Sequence, residues 1–296
     1  MTPAIVAALA AACSPLGLDR GELDELRAAE FALPAAAEED RFLEDAVVCA
    51  GDRDPFFRDK IGYEGIAAIL RRGGGSEKAV RTQTLAILDL IALPNEAVDP
   101  RYGKKRGGFR ASFLPLYASE FLRRDRVGSF LNEEELARAA RLAAEEIEGV
   151  RDFRGFDEEE GWRHHVAHAS DLALQLVLNP GLQRAEHVAL QAALLSQVHP
   201  GGEVFYRYGE PGRLARALLY SVFAEEWEEG YLESLFSPLV DNESFWADAY
   251  ASQEGLARVH NTRSFLQTVM VLIDGQTDPR LVTLRDAAKE ALRQIP

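Results

Sequence analysis

Apolar positions recur every three or four residues along almost the whole chain, and short glycine or proline punctuation separates the periodic stretches. This is the pattern of successive amphipathic helices. It predicts helices over 2–12, 19–29 and 38–50. The next is opened by Asp54 as a cap with Pro55 in its first turn, and Gly73, Gly74 and Gly75 stop it. Ser76 caps a helix to about 93, and a polar loop carrying Lys104, Lys105 and Arg106 leads into another over 110–124. Asn132 with Glu135 three residues on is a capping-box signature for a helix reaching 149. Further helices follow over 158–178, 185–197, 211–224, 226–236, 242–259, 262–274 and 278–294. The only strand-like stretch is 204–209, which reads as an extended loop.

Helices of ordinary length joined by short turns point to an all-α fold of stacked antiparallel helix pairs, an α-α superhelix of the HEAT or armadillo kind. Asp-Pro openings at Asp54 and Asp278, each followed by an arginine, resemble HEAT-type repeats, although no clean fixed period emerges. No long linker divides residues 1–296, so a single helical-repeat domain is expected.

Composition narrows the function classes. A formal charge of −15 argues against a general nucleic-acid binder, because phosphate neutralisation needs surplus lysine and arginine. No window approaches the ~20 apolar residues of a membrane span. The two cysteines, Cys13 and Cys49, are too few for a disulfide framework or a zinc ribbon and read as free thiols suited to a reducing cytoplasm. The run of small residues before Cys13 is short for a secretion signal and has no basic residue ahead of it, so an amphipathic first helix with a buried cysteine is expected.

Chemistry concentrates in residues 151–180. If 158–178 is helical, His164, His168 and Asp171 stand at i, i+4 and i+7, within an arc of roughly 60°, and Gln175 extends the stripe. Trp162 and the apolar residues fall on the other side. The stripe has three readings. It is a solvated or structurally hydrogen-bonded face; or His164, His168 and Asp171 hold a divalent metal, with Glu210 as a ligand from another helix and hydrolysis as the reaction; or it lines a ligand groove in which an imidazole can exchange protons. No phosphate-binding loop, dinucleotide fingerprint, nucleophile elbow or H-E-x-x-H zinc motif is present.

The same stretch carries a family resemblance. Arg154-Gly155-Phe156, an acidic spacer, Gly161-Trp162, His164, Ala167-His168 and Asp171 resemble the core motif of a bacterial family catalogued as domain of unknown function 2785. Residues 54–63 (DPFFRDKIGY), 110–113 (RASF) and 210–215 (EPGRLA) match as well, and the resemblance spans about 40–225. His165 falls where the family usually has a small residue. The resemblance implies a helical-repeat fold and no established activity.

Carrying the matched polar residues over, Arg58, Asp59, Arg110, His164, His168, Asp171, Glu210 and Arg213 would meet along a concave groove, with Arg154 and Gly155 shaping its entrance. Such a groove suits a small polar or anionic ligand or a peptide. The expectation is then a cytoplasmic binding scaffold rather than an enzyme. His164→Ala and His168→Ala would leave stability within ~0.5 kcal/mol of wild type, and Trp162→Ala would cost about 3–5 kcal/mol as a core aromatic.

Overall fold

A computed structural model describes residues 12–105, 107–224, 226–241 and 243–296. The helix expected over 2–12 lies outside these residues. Eleven α-helices among the described residues have eight or more residues: α1 (Arg20–Ala28), α2 (Ala36–Ala46), α3 (Glu64–Arg71), α4 (Glu77–Ile91), α5 (Phe109–Val127), α6 (Glu133–Gly149), α7 (His165–Val177), α8 (Arg184–Ser196), α9 (Glu210–Phe223), α10 (Gln253–Leu272) and α11 (Pro279–Gln294). The expected caps form. Ser76 Oγ accepts from the backbone of Ala79, and Asn132 and Glu135 close a reciprocal capping box. Among the described residues the fold is all-α apart from one two-stranded hairpin.

Helix α5 is the axis of the structure. Every residue from Phe109 to Leu122 is buried except Arg110, so this helix is enclosed around its circumference rather than along one stripe. It packs against α3, α4 and, most extensively, α7; α7 packs on α9, and α9 on α10. On the other side α6 packs on α8. Buried apolar side chains from Leu23 to Ile295 form one contiguous cluster.

Four local departures from the sequence reading have physical causes. Residues Phe56–Tyr63 wind as a π-helix before α3 continues, and Arg58 turns inward there. The wider turn leaves the Arg58 carbonyl to accept from Tyr117 Oη at 2.7 Å. Gly62 makes this approach possible, since an added Cβ would lie 1.9 Å from the same hydroxyl. Second, the helices expected over 242–259 and 262–274 are a single helix, α10. Asn261 and Thr262 are not a turn but buried mid-helix groups, and Asn261 bonds the backbone of Val204 and Tyr206. Third, residues 226–236 form only a short turn of helix at Tyr231–Ser234.

The fourth concerns the thiols. Cys13 and Cys49 are joined in a disulfide, with Cα atoms 4.7 Å apart, so they are not the free thiols expected. Cys49 is buried, whereas Cys13 is only half-buried. No helix among the described residues is long and apolar enough to cross a membrane.

Candidate functional site

The motif does not lie on one helix. Residues Phe156–Asp157 and Gly161–Trp162 form an antiparallel hairpin, β1 and β2, and α7 begins only at His165. The ladder continues beyond the strands: Arg163 N donates to Gly155 O at 3.0 Å and His164 N to Arg154 O at 3.1 Å. His164 then turns the chain into α7 with a left-handed backbone (φ 56°), a conformation that few residues other than glycine adopt. The acidic spacer read as the first turns of a helix is therefore a hairpin loop.

This break reverses the expected faces. Trp162 is 40% exposed, while His168 is 7% exposed and His165 1%. Trp162 stacks on the His164 ring, with centroids 4.8 Å apart, and meets the Phe156 and Tyr208 rings at 5.1 and 5.9 Å. It is a surface aromatic, not a core anchor.

His164, His168, Asp171, Glu210 and Arg213 do come together, where α7 faces α9. His164 Nε2–H donates to Tyr208 O at 2.9 Å, leaving Nδ1 as its second nitrogen. His168 Nδ1–H donates to Ser112 O at 2.8 Å, and its ring meets Phe113 edge-on. The bond falls beside Pro115, whose missing N–H interrupts the hydrogen-bond ladder of α5. Asp171 pairs with Arg213, and Glu210 accepts from Tyr208 N at 2.8 Å. Burial lowers the His164 pKa, and burial together with the His164 charge holds His168 well below the ordinary imidazole value. Burial raises the Asp171 carboxyl, against the pull of Arg213.

His164, His168 and Asp171 each bond a different group. No three His, Cys, Asp or Glu side chains among the described residues are arranged to hold a metal ion.

The other expected site residues lie elsewhere. Arg58 is fully buried, with its guanidinium 4.0 Å from the Phe109 ring centre and bonded to Asp59, to the carbonyls of Asp52 and Arg53, and to Glu160 O at 2.9 Å. Arg58 thus ties the π-helix to the hairpin, and Asp59 pairs with it. Burial lowers the Arg58 pKa and raises that of Asp59. Arg154 clamps the backbone of three nearby residues, donating to Lys104 O (2.6 Å), Lys105 O (3.2 Å) and Gly107 O (3.2 Å) while pairing with Asp152. Gly155 makes room for Tyr208, whose ring would lie 2.0 Å from an added Cβ. Arg110 lies in a separate cavity with Arg53 and Arg101.

The sequence reading set aside His165, yet His165 is the centre of a buried relay. Arg151 N and Asp152 N both donate to Tyr102 Oη, at 2.9 and 3.1 Å. The phenol hydrogen is therefore directed to His165 Nδ1 at 3.2 Å, and His165 Nε2–H donates to Glu146 at 2.5 Å. Burial pushes the Tyr102 phenol up to about 12, which keeps it a donor at neutral pH. The signal was present: His165 shares its face with the buried Ala169, Leu172 and Leu176, at i+4, i+7 and i+11.

An open groove does exist, beside the hairpin rather than along α7. Its volume is about 510 Å³, and its walls are the 103–105 loop, residues 151–157 and the extended segment 203–208. Lys105, Arg151, Arg154, Arg163 and Arg207 outnumber Asp152, Asp157 and Glu203 in its lining, and Phe156 and Tyr208 give it aromatic walls. Arg154 and Gly155 are part of its lining, but none of the other residues expected to form a groove is.

Fold and site together define an all-helical protein whose surface hairpin overhangs a basic groove. The family described as "Protein of unknown function (DUF2785)" matches residues 104–271, more than half of the chain, and the chain belongs to that family. The match takes in the hairpin, the RASF and EPGRLA segments and most of α10, but not the π-helix. No curated protein and no solved structure matches the chain.

Proposed function

We propose that the protein is a binding module that takes an anionic ligand, a small molecule or an acidic peptide, in the groove beside the hairpin. One observation carries the reading. Lys105, Arg151 and Arg207 converge on this groove with no carboxylate partner among the described residues, in a chain whose net charge is −15. Phe156 and Tyr208 would stack on the apolar or planar part of the ligand while the cations take its charge. Helices α5, α7, α9 and α10 on one side, and α6 and α8 on the other, are read as the two rows of an α-α superhelix forming one domain. The support is that each of these helices packs on the next in its own row.

Hydrolysis at a metal held by His164, His168 and Asp171 has no comparable support, since no three His, Cys, Asp or Glu side chains among the described residues are arranged to hold an ion. A cytoplasmic location loses the support of free thiols, because Cys13 and Cys49 are paired. Thiol titration of native protein, before and after reductant, decides whether that pairing holds in the cell of origin.

The groove is tested by tryptophan fluorescence, since Trp162 touches the groove residues Phe156 and Tyr208. Citrate and a short acidic peptide are titrated into wild type and Arg207→Glu. Saturable change that weakens with added salt and is reduced tenfold or more in Arg207→Glu is expected. No saturable response to either probe, or equal responses in both proteins, overturns the reading.

A further inference from the structure

A second cavity, of about 280 Å³, lies at the N-terminal end of α5 and is lined by Gly51, Arg53, Asp99, Pro100, Arg101, Gly107, Phe109 and Arg110. We propose that it is a binding site for a phosphate group, free or carried as a monoester, gripped by Arg53, Arg101 and Arg110.

Three guanidinium groups share this small space with one carboxylate. Asp99 is already engaged by backbone: its two oxygens accept from Arg101 N and from Arg110 N, each at 3.0 Å. Arg53 pairs with Glu160 through Nε and Nη2, both directed to the same oxygen, which leaves Nη1 for another acceptor. The other Glu160 oxygen belongs to Arg163. Arg101 has no carboxylate partner for its side chain among the described residues, and its exposed head stands at the mouth.

Two glycines let these cations approach. An added Cβ on Gly51 would lie 2.6–2.7 Å from the Arg110 guanidinium, so that group lies flat across the Gly51 backbone. An added Cβ on Gly107 would lie 2.4 Å from the Arg101 Cβ, and Gly107 has the positive φ (114°) that a side chain rarely tolerates. Burial lowers the Arg110 pKa, and Asp99 acts in the opposite sense. The 19-residue α5 adds the positive end of its dipole, with Phe109 and Arg110 of its first turn in the lining. A tetrahedral dianion matches several guanidinium forks better than a carboxylate or chloride does.

The test is calorimetric titration of the full chain, at constant ionic strength, with inorganic phosphate, glycerol 3-phosphate and chloride. The variants are Arg101→Gln, Arg110→Gln and, as a surface control outside the cavity, Arg293→Gln. Arg101 is exposed, so Arg101→Gln keeps the test valid even if Arg110→Gln folds poorly. Saturable phosphate binding is expected, weakened about tenfold or more in Arg101→Gln and unchanged in Arg293→Gln, with no response to chloride. Equal affinity for both phosphate probes identifies the phosphate group alone as the ligand; tighter binding of the monoester identifies a phosphorylated compound. No saturable binding, binding unaffected by Arg101→Gln, or an equal loss in Arg293→Gln overturns the assignment.

Discussion

Trp162 and His168 are six positions apart in the chain, and they belong to opposite parts of the protein. His168 and His165 point into the helical core, where each ring has a defined hydrogen-bond partner. Trp162 and Phe156, the larger and more apolar pair, stand on the hairpin at the surface. The usual partition is inverted here, and both halves of the inversion are informative. Buried polar groups are tolerated when every one is satisfied and then fix a single packing arrangement. Exposed aromatic groups clustered beside a groove carry a cost in water that a ligand contact would recover. The core side of the motif is therefore structural and the hairpin side is where binding is expected.

The comparison can be broken most decisively at Arg58. It is fully buried and ties the π-helix to the Glu160 carbonyl of the hairpin loop, so Arg58→Ala removes four hydrogen-bonding partners and leaves Asp59 uncompensated. A loss of about 3–5 kcal/mol is expected in urea unfolding. A loss near zero would mean the hairpin is not fastened to the core. His168→Ala comes next, at about 2–4 kcal/mol, for a buried ring removed and a Ser112 carbonyl left without its donor. If His168→Ala instead melts with wild type, the histidine face is solvated as the helix-wheel reading supposed.

Much of the fold was legible because helix caps and breakers act locally. Ser76, Asn132 and Asp278 each cap the helix they were expected to cap. The site was not legible, and one residue explains why. Periodicity was extended through Gly161 and Trp162 as if the helix began at 158, and that placed Trp162 opposite the histidines. Gly161 has a positive φ of 77° and closes a hairpin, a turn signal that the histidine spacing overshadowed. His164, His168 and Asp171 still gather with Glu210 and Arg213, because part of the i, i+4, i+7 geometry survives from His164 onward. Arg58 and Arg154 shared the family motif but serve as fasteners, a role sequence spacing does not reveal.

Protonation provides a sharper but smaller test. Burial keeps His168, and to a lesser degree His164, below the ordinary imidazole value of 6.5. The folded state then resists a proton that the unfolded chain accepts, so stability is full above about pH 7 and falls as pH drops through 6.5. One imidazole held neutral at pH 5.5 costs about 1.4 kcal/mol. Burial raises the Asp171 and Asp59 carboxyls, which act in the opposite sense, so the difference between wild type and His168→Gln isolates the share of the histidine. The melting temperature should fall over this range, and less so in His168→Gln. A flat profile in wild type would show that the ring is hydrated.

The smallest stability effect belongs to Trp162, and its smallness is the point. Trp162→Ala removes an exposed ring that stacks on His164 and touches Phe156 and Tyr208. Aromatic pairs of this kind contribute about 0.5–1.5 kcal/mol, and no core cavity is opened, so a cost of about 1 kcal/mol is expected. Its effect on binding should be proportionately larger, because Phe156 and Tyr208 form walls of the groove and Trp162 holds both rings in place. Thermal melts and citrate or acidic-peptide titrations on the same Trp162→Ala sample compare the two, using calorimetry because the fluorophore is gone. A near-native melt with markedly weakened binding separates the hairpin from the core. A large loss of stability would instead make Trp162 part of the core and return the motif to the single-helix reading.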